Sequence, residues 1–187
     1  MRRKDDNKQQ NIKQAVIKVI LAEGFHGASI SKIAKEAGVS PATVYVYYES
    51  KEAMLQDIYQ EYHEQVYTYL SGQVRKDMSG AQFIESLVRG YYSYIIECGE
   101  AFYFVEQFSS CPALLGGCPG IEARSKISLL LDELKMRRII KDVDNASITA
   151  ILFTPVKSIA LQYHKRGTVE APILNDLIQM IQDALLR

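Results

Sequence analysis

Residues 24–55 read GFHGASISKIAKEAGVSPATVYVYYESKEAML, and the spacing inside this stretch decides the fold. Ile30, Ile33, Ala34 and Ala37 recur at i, i+3, i+4 and i+7, the period of one buried helical face, and Ser29 stands where a hydroxyl caps a helix. Gly38 ends that helix, because glycine takes the left-handed conformation without a Cβ clash. Ser40-Pro41 supplies a cap followed by proline at the first helical position, so a second helix starts at once and runs to about Tyr48. A helix this short is not stable alone and must lie on its neighbours. Helix, tight turn and short second helix together predict a helix-turn-helix.

A helix entering the major groove turns one face to the bases and packs the other inward. Val44 and Tyr48, four apart, are the expected inward pair, which leaves Ala42, Thr43, Tyr45, Val46 and Tyr47 facing outward. Hydroxyls and helix-start amides position phosphates, whereas the methyl groups of Ala42, Thr43 and Val46 suit thymine; Tyr45 could serve either. Packing between helices is the alternative for each tyrosine. The helix carries no Arg, Asn or Gln, so paired hydrogen bonds to base edges are limited, and shape and methyl contacts carry the sequence preference.

The joint pattern Ile33-Ala34, Ala37-Gly38-Val39-Ser40, Thr43-Val44-Tyr45, Tyr47-Tyr48 and Ser50-Lys51-Glu52 resembles the DNA-binding signature of the tetracycline-repressor (TetR) family of bacterial transcription regulators. Ser29 stands where threonine is commoner, Ala42 where glycine is common, and Tyr48 where phenylalanine is usual. The resemblance implies that Tyr47 and Lys51 contact phosphate and that Ser29 and Ser40 are phosphate-contacting helix starts. It also implies an all-α fold, with a three-helix DNA-binding domain over residues 1–50 joined by a long helix to a ligand-binding and dimerisation domain over residues 51–187.

The composition suits that organisation. The chain has 187 residues, 48% of them apolar and 24% charged, which excludes disordered and fibrous classes. No apolar run is long enough to span a bilayer, and MRRKDDNKQQ lacks the apolar stretch of a signal peptide, so a cytoplasmic protein without a membrane partner is expected. The net charge of zero divides unevenly. Residues 1–51 hold nine Lys/Arg against five Asp/Glu, a balance of +4, and the remainder thirteen against seventeen, a balance of −4. The basic part coincides with the helix-turn-helix, as phosphate contact requires.

In chain order, residues 1–7 read as a charged, frayed tail, solvated or touching DNA. Lys8 to Glu23 predicts a helix with Ile12, Ala15, Val16, Val19 and Ile20 on one face, stopped by Gly24. Ser50 caps a long helix from Lys51 towards Lys76. Amphipathic helices follow over Ser79 to Glu97, Ile121 to Ile140, Asn145 to about Lys165 (with a kink at Pro155) and Ala171 to Leu186; a short aromatic segment covers Glu100 to Ser109. SCPALLGGCPG, residues 110–120, reads as a loop. About nine helices and no strand are expected.

Tyr59, Tyr62, Phe102, Tyr103, Phe108, Phe153 and Tyr163 are either a pocket lining for an aromatic or amphipathic effector or simply core, and Glu106 could add polar selectivity. Family resemblance, which implies a small inducer among the middle helices, favours the pocket. It also implies that the last two helices pair with a second copy through their apolar faces, which carry Ile148, Ile151, Ile159, Ile173, Leu177 and Ile181. Cys98, Cys111 and Cys118 are an odd count; Cys111 and Cys118 are a redox pair or plain thiols. His26, His63 and His164 lack metal-binding spacing, and GxSxG, GxGxxG and GxxxxGK[ST] are absent, so neither metal, cofactor nor catalysis is expected. The expected function is a ligand-released repressor that binds a palindromic DNA operator as a homodimer. A ligand-independent regulator or activator, and a helical enzyme or carrier, are the alternatives.

Overall fold

The computed structural model describes residues 2–109, 122–163 and 171–187. Among them are nine helices and no strand beyond an isolated bridge between Ile140 and Leu186. The helices are α1 (Arg2–Gly27), α2 (Ile30–Glu36), α3 (Pro41–Tyr47), α4 (Lys51–Gln73), α5 (Gly80–Glu97), α6 (Gly99–Ser109), α7 (Glu122–Met136), α8 (Asn145–Tyr163) and α9 (Ala171–Leu185). The 110–120 segment, with Cys111 and Cys118, and His164 lie outside the described residues.

One expectation about α1 needs correction, and its stop at Gly24 holds. It starts at Arg2, so the segment read as a frayed tail is helical; the polar run Lys4 to Asn11 contains no Gly or Pro to stop a helix spreading back from its apolar face. Gly24 breaks the helical path at φ 71° and ψ 176°, yet a further helical stretch follows it up to Gly27. The chain divides into two compact units, Met1–His63 with Glu100–Pro119, and Glu64–Gly99 with Gly120–Arg187. Helix α4 contributes to both.

The first unit has one core. Ile12, Val16 and Ile20 from α1, Ile33 and Ala34 from α2, Val44 from α3, and Met54, Leu55 and Ile58 from α4 are buried together. Phe104, Val105 and Phe108 from α6 complete it. The aromatic side chains interlock: Phe108 stacks on Tyr59 with centroids 4.2 Å apart and meets Phe25 edge-on at 5.6 Å, while Tyr62 meets Phe104 at 6.5 Å. Such pairs contribute about 0.5–1.5 kcal/mol each beyond area burial.

In the second unit, α5 packs against both α8 and α9. Ser79 starts α5 with a capping box, its hydroxyl accepting from Gln82 N–H while the Gln82 side chain accepts from Ser79 N–H. Helix α5 buries Phe83, Ile84, Leu87, Val88 and Tyr91, α8 buries Ile148, Leu152 and Val156, and α9 buries Leu174, Leu177, Ile178 and Ile181. Arg89 adds a bond to Asn175 Oδ1 at 2.7 Å. Helix α8 is continuous through Pro155.

A candidate DNA interface

The turn between α2 and α3 follows from its caps. Ser29 Oγ accepts from Lys32 N–H at 3.3 Å at the start of α2. At its end, Gly38 at φ 67° donates to Lys35 O and Val39 donates to Ala34 O, the paired closure of a Schellman motif. Ser40 then accepts from Thr43 N–H at 3.2 Å, and Pro41 opens α3. Ile33, Ala34 and Val44 are fully buried, which fixes the angle at which α3 leaves the turn.

On α3 the inward pair is Val44 and Tyr48, both buried. Ala42 is exposed, Thr43 half-buried, Tyr45 57% exposed and Val46 80% exposed. Tyr47 is half-buried and packs against the first unit's core. Ser29 and Ser40 are exposed at their helix starts. Ser40 Oγ and Thr43 Oγ1 share a hydrogen bond of 2.9 Å, which uses one of their two O–H donors.

Lys51 sits where spacing could not have placed it. Its half-buried ammonium donates to Phe25 O and Ala28 O, each at 2.6 Å, and thereby ties the first turn of α4 to the end of α1 and the link that follows it. Two of its three N–H groups are committed, leaving one for a phosphate. Lys13 of α1 forms an ion pair with Glu61 of α4. Beside that pair the Tyr48 hydroxyl is buried near Gln9 without reaching hydrogen-bond geometry among the described residues. Burial, reinforced by Asp57 and Glu61, pushes its pKa up to about 12.

The residues expected to line a pocket fall in both units. Tyr59, Tyr62 and Phe108 belong to the core of the first unit, where Tyr59 and Phe108 stack on each other. Phe102 is buried and meets the half-buried Tyr103 edge-on, and Glu106 is half-buried. Phe153 lies in the second unit against Tyr91, and Tyr163 is half-buried there. The second unit also has a shallow surface dimple, between exposed Arg75, Lys76 and Arg137 and buried Phe83 and Leu134. None of the expected pocket residues lines it.

The expected dimer face is corrected in part. Ile148, Leu177 and Ile181 are spent inside the second unit, Ile148 being 1% exposed, and offer no surface to another copy. Ile151 is exposed, and Ile159 and Ile173 are half-buried. The apolar period of α8 and α9 identifies their inner faces, because α5 already covers them. Among the described residues no group of three or more His, Cys, Asp or Glu is placed to hold a metal, and no helix is long and apolar enough to cross a membrane.

Residues 12–58 match the family described as bacterial regulatory proteins, tetR family. The chain is similar to the fatty acid metabolism regulator protein of Bacillus subtilis, 28% identical over 86 residues, which are 46% of this chain and 44% of that protein. The chain thus matches less than half the length of this curated relative. Among solved structures it resembles a TetR family transcription regulator from Marinobacter aquaeolei VT8, with 24% identity and a TM-score of 0.84 over 100% of this chain and 99% of the other. It also resembles the transcriptional regulator FadR from Bacillus subtilis in complex with stearoyl-CoA, with 17% identity and a TM-score of 0.69 over 94% and 98%.

Proposed function

We propose that this chain, whose residues 12–58 match the bacterial regulatory proteins of the tetR family, is a cytoplasmic, ligand-released repressor that binds a palindromic operator as a homodimer. The observation that carries the DNA-binding part is α3: a capped helix held by Val44 and Tyr48 that turns Ala42, Thr43, Tyr45 and Val46 away from the core. One such helix reads only a few base pairs. Two copies on a two-fold axis would read half-sites about one helical turn, 34 to 36 Å, apart or a multiple of it.

The dimer would form through the outer faces of α8 and α9, where Ile151, Leu161 and Met180 are exposed. Residues 1–50 act as the DNA-binding domain, and residues 51–187 bind effector and partner. The lever is α4, which starts at Lys51 beneath the helix-turn-helix and continues into the second unit. An effector that binds better to the conformation with misplaced recognition helices releases the operator by that difference in affinity. Its class is amphipathic, and since one structural neighbour is complexed with stearoyl-CoA, long-chain acyl thioesters are the first to test.

Selection of duplexes from a random pool by the full chain tests this reading. A palindrome bound by two copies is expected, with release by acyl-CoA or another amphipathic ligand. Failure to enrich any duplex overturns DNA binding; an enriched site without two-fold symmetry overturns the dimer; a palindrome that no ligand releases leaves a ligand-independent regulator.

A further inference from the structure

We propose that this protein reads its operator chiefly through pyrimidine 5-methyl groups, with Val46 as the principal specificity residue, and that it therefore accepts 5-methylcytosine in place of thymine. The inference rests on the DNA-binding reading above and adds the chemical feature that α3 recognises.

At about 100° per residue along a helix, Val46 stands opposite the midpoint between the buried Val44 and Tyr48, and Ala42 and Thr43 lie within about 60° of it. The surface at the centre of the outward face is therefore set by these three residues. Val46 is 80% exposed, more than any other large apolar side chain among the described residues. Ala42 contributes a methyl group. Thr43 has a methyl and a hydroxyl, but its hydroxyl is hydrogen-bonded to Ser40 Oγ at 2.9 Å, and Ser40 Oγ also accepts from Thr43 N–H. That pairing uses one of the two O–H groups and lies at the edge of the face, whose centre, Val46 and Ala42, is hydrocarbon. Tyr45 and Tyr47 flank this centre on either side, with Tyr47 partly packed on the core.

A hydrocarbon face can discriminate only what is itself apolar in the major groove, and the thymine 5-methyl group is the one such feature of the four base pairs. Cytosine methylated at C5 presents the same group at the same place. The helix carries no Arg, Asn or Gln that would instead select guanine or adenine by paired hydrogen bonds.

The test uses the full chain and a duplex enriched from a random pool, followed by fluorescence anisotropy. Deoxyuridine replaces thymidine one position at a time, which removes a methyl group and preserves pairing. Each contacted methyl should weaken binding by about fourfold, the effect of one buried methyl group. Val46→Ala, at an exposed site that cannot disturb the core, should abolish the uracil penalty at one or more positions. Cytosine at those positions should bind less tightly than 5-methylcytosine. Uracil tolerated throughout, or penalties unchanged in Val46→Ala, overturns the proposal while DNA binding stands. Failure to enrich any duplex overturns both readings together.

Discussion

The ammonium of Lys51 lies 2.6 Å from the carbonyl oxygen of Phe25, and the same nitrogen serves Ala28 O. This lysine, at the start of α4, thus satisfies carbonyls at the end of α1 and in the link to α2. Lys51→Met, which keeps the stem and removes the donors, should lower stability by about 2 kcal/mol, since bonds to a charged donor contribute roughly 1.5–3 kcal/mol each and this one is half solvated. Urea unfolding measures that loss. The salt dependence of DNA affinity separates the two roles: an unchanged slope is expected from a lysine that holds the turn, and a slope shallower by about one would put its third N–H on a phosphate.

Phe108→Ala tests whether α6 is part of the DNA-binding unit's core. Removal of a fully buried ring that touches Tyr59 and Phe25 should cost about 3–5 kcal/mol in chemical denaturation. DNA affinity should fall with it, although residue 108 is far from α3 in sequence. Loss of stability below 1 kcal/mol would show that the stack does not support the core.

Tyr48 gives the first unit an alkaline limit. Its pKa of about 12 exceeds the ordinary 10 because burial disfavours the phenolate. The folded chain therefore holds the proton more tightly than the unfolded one. The stability this represents is complete below pH 10 and is lost as the pH rises through about 12. Tyr48→Phe should remove that part of the loss, as seen in urea midpoints between pH 9 and 12. At pH 7 it should be neutral to about 1 kcal/mol more stable, because the deleted hydroxyl is buried near Gln9 without a well-formed hydrogen bond among the described residues.

Two helix ends of the same design differ by one residue. Gly38 at φ 67° and Arg138 at φ 56° occupy equivalent places, each followed by an amide that reaches back to the last turn, from Val39 to Ala34 O and from Ile139 to Leu134 O. Gly38→Ala should cost about 1 kcal/mol by backbone strain, with no clash, since nothing lies within 4 Å of the added Cβ. Arg138→Gly should gain about 0.5 kcal/mol, the strain relieved less the extra freedom of the unfolded glycine. Thermal unfolding of the two variants should move in opposite directions.

The helix-turn-helix was legible because its signals are local: a cap hydroxyl, an apolar period, a glycine and a proline each act within four residues. The inward pairing of Val44 and Tyr48 followed from the same periodicity. What spacing could not disclose depends on partners far along the chain. Lys51 looks like any exposed lysine until Phe25 and Ala28 turn their carbonyls towards it. Tyr59 and Phe108 look equally like pocket lining or core until they stack. Ile148 and Leu177 mark an apolar face correctly, but α5 takes that face before a second copy could.

The place of α6 also sets an order of events at the ribosome. Residues 2–63 are synthesised before Phe104 and Phe108 exist, so the nascent helix-turn-helix must wait with Tyr59 and Phe25 uncovered. At a synthesis rate of roughly 5–20 residues per second that interval lasts a few seconds. A transcript cut short between these segments would release a nearly neutral chain whose aromatic core lacks Phe104 and Phe108, rather than a smaller, functional DNA-binding protein.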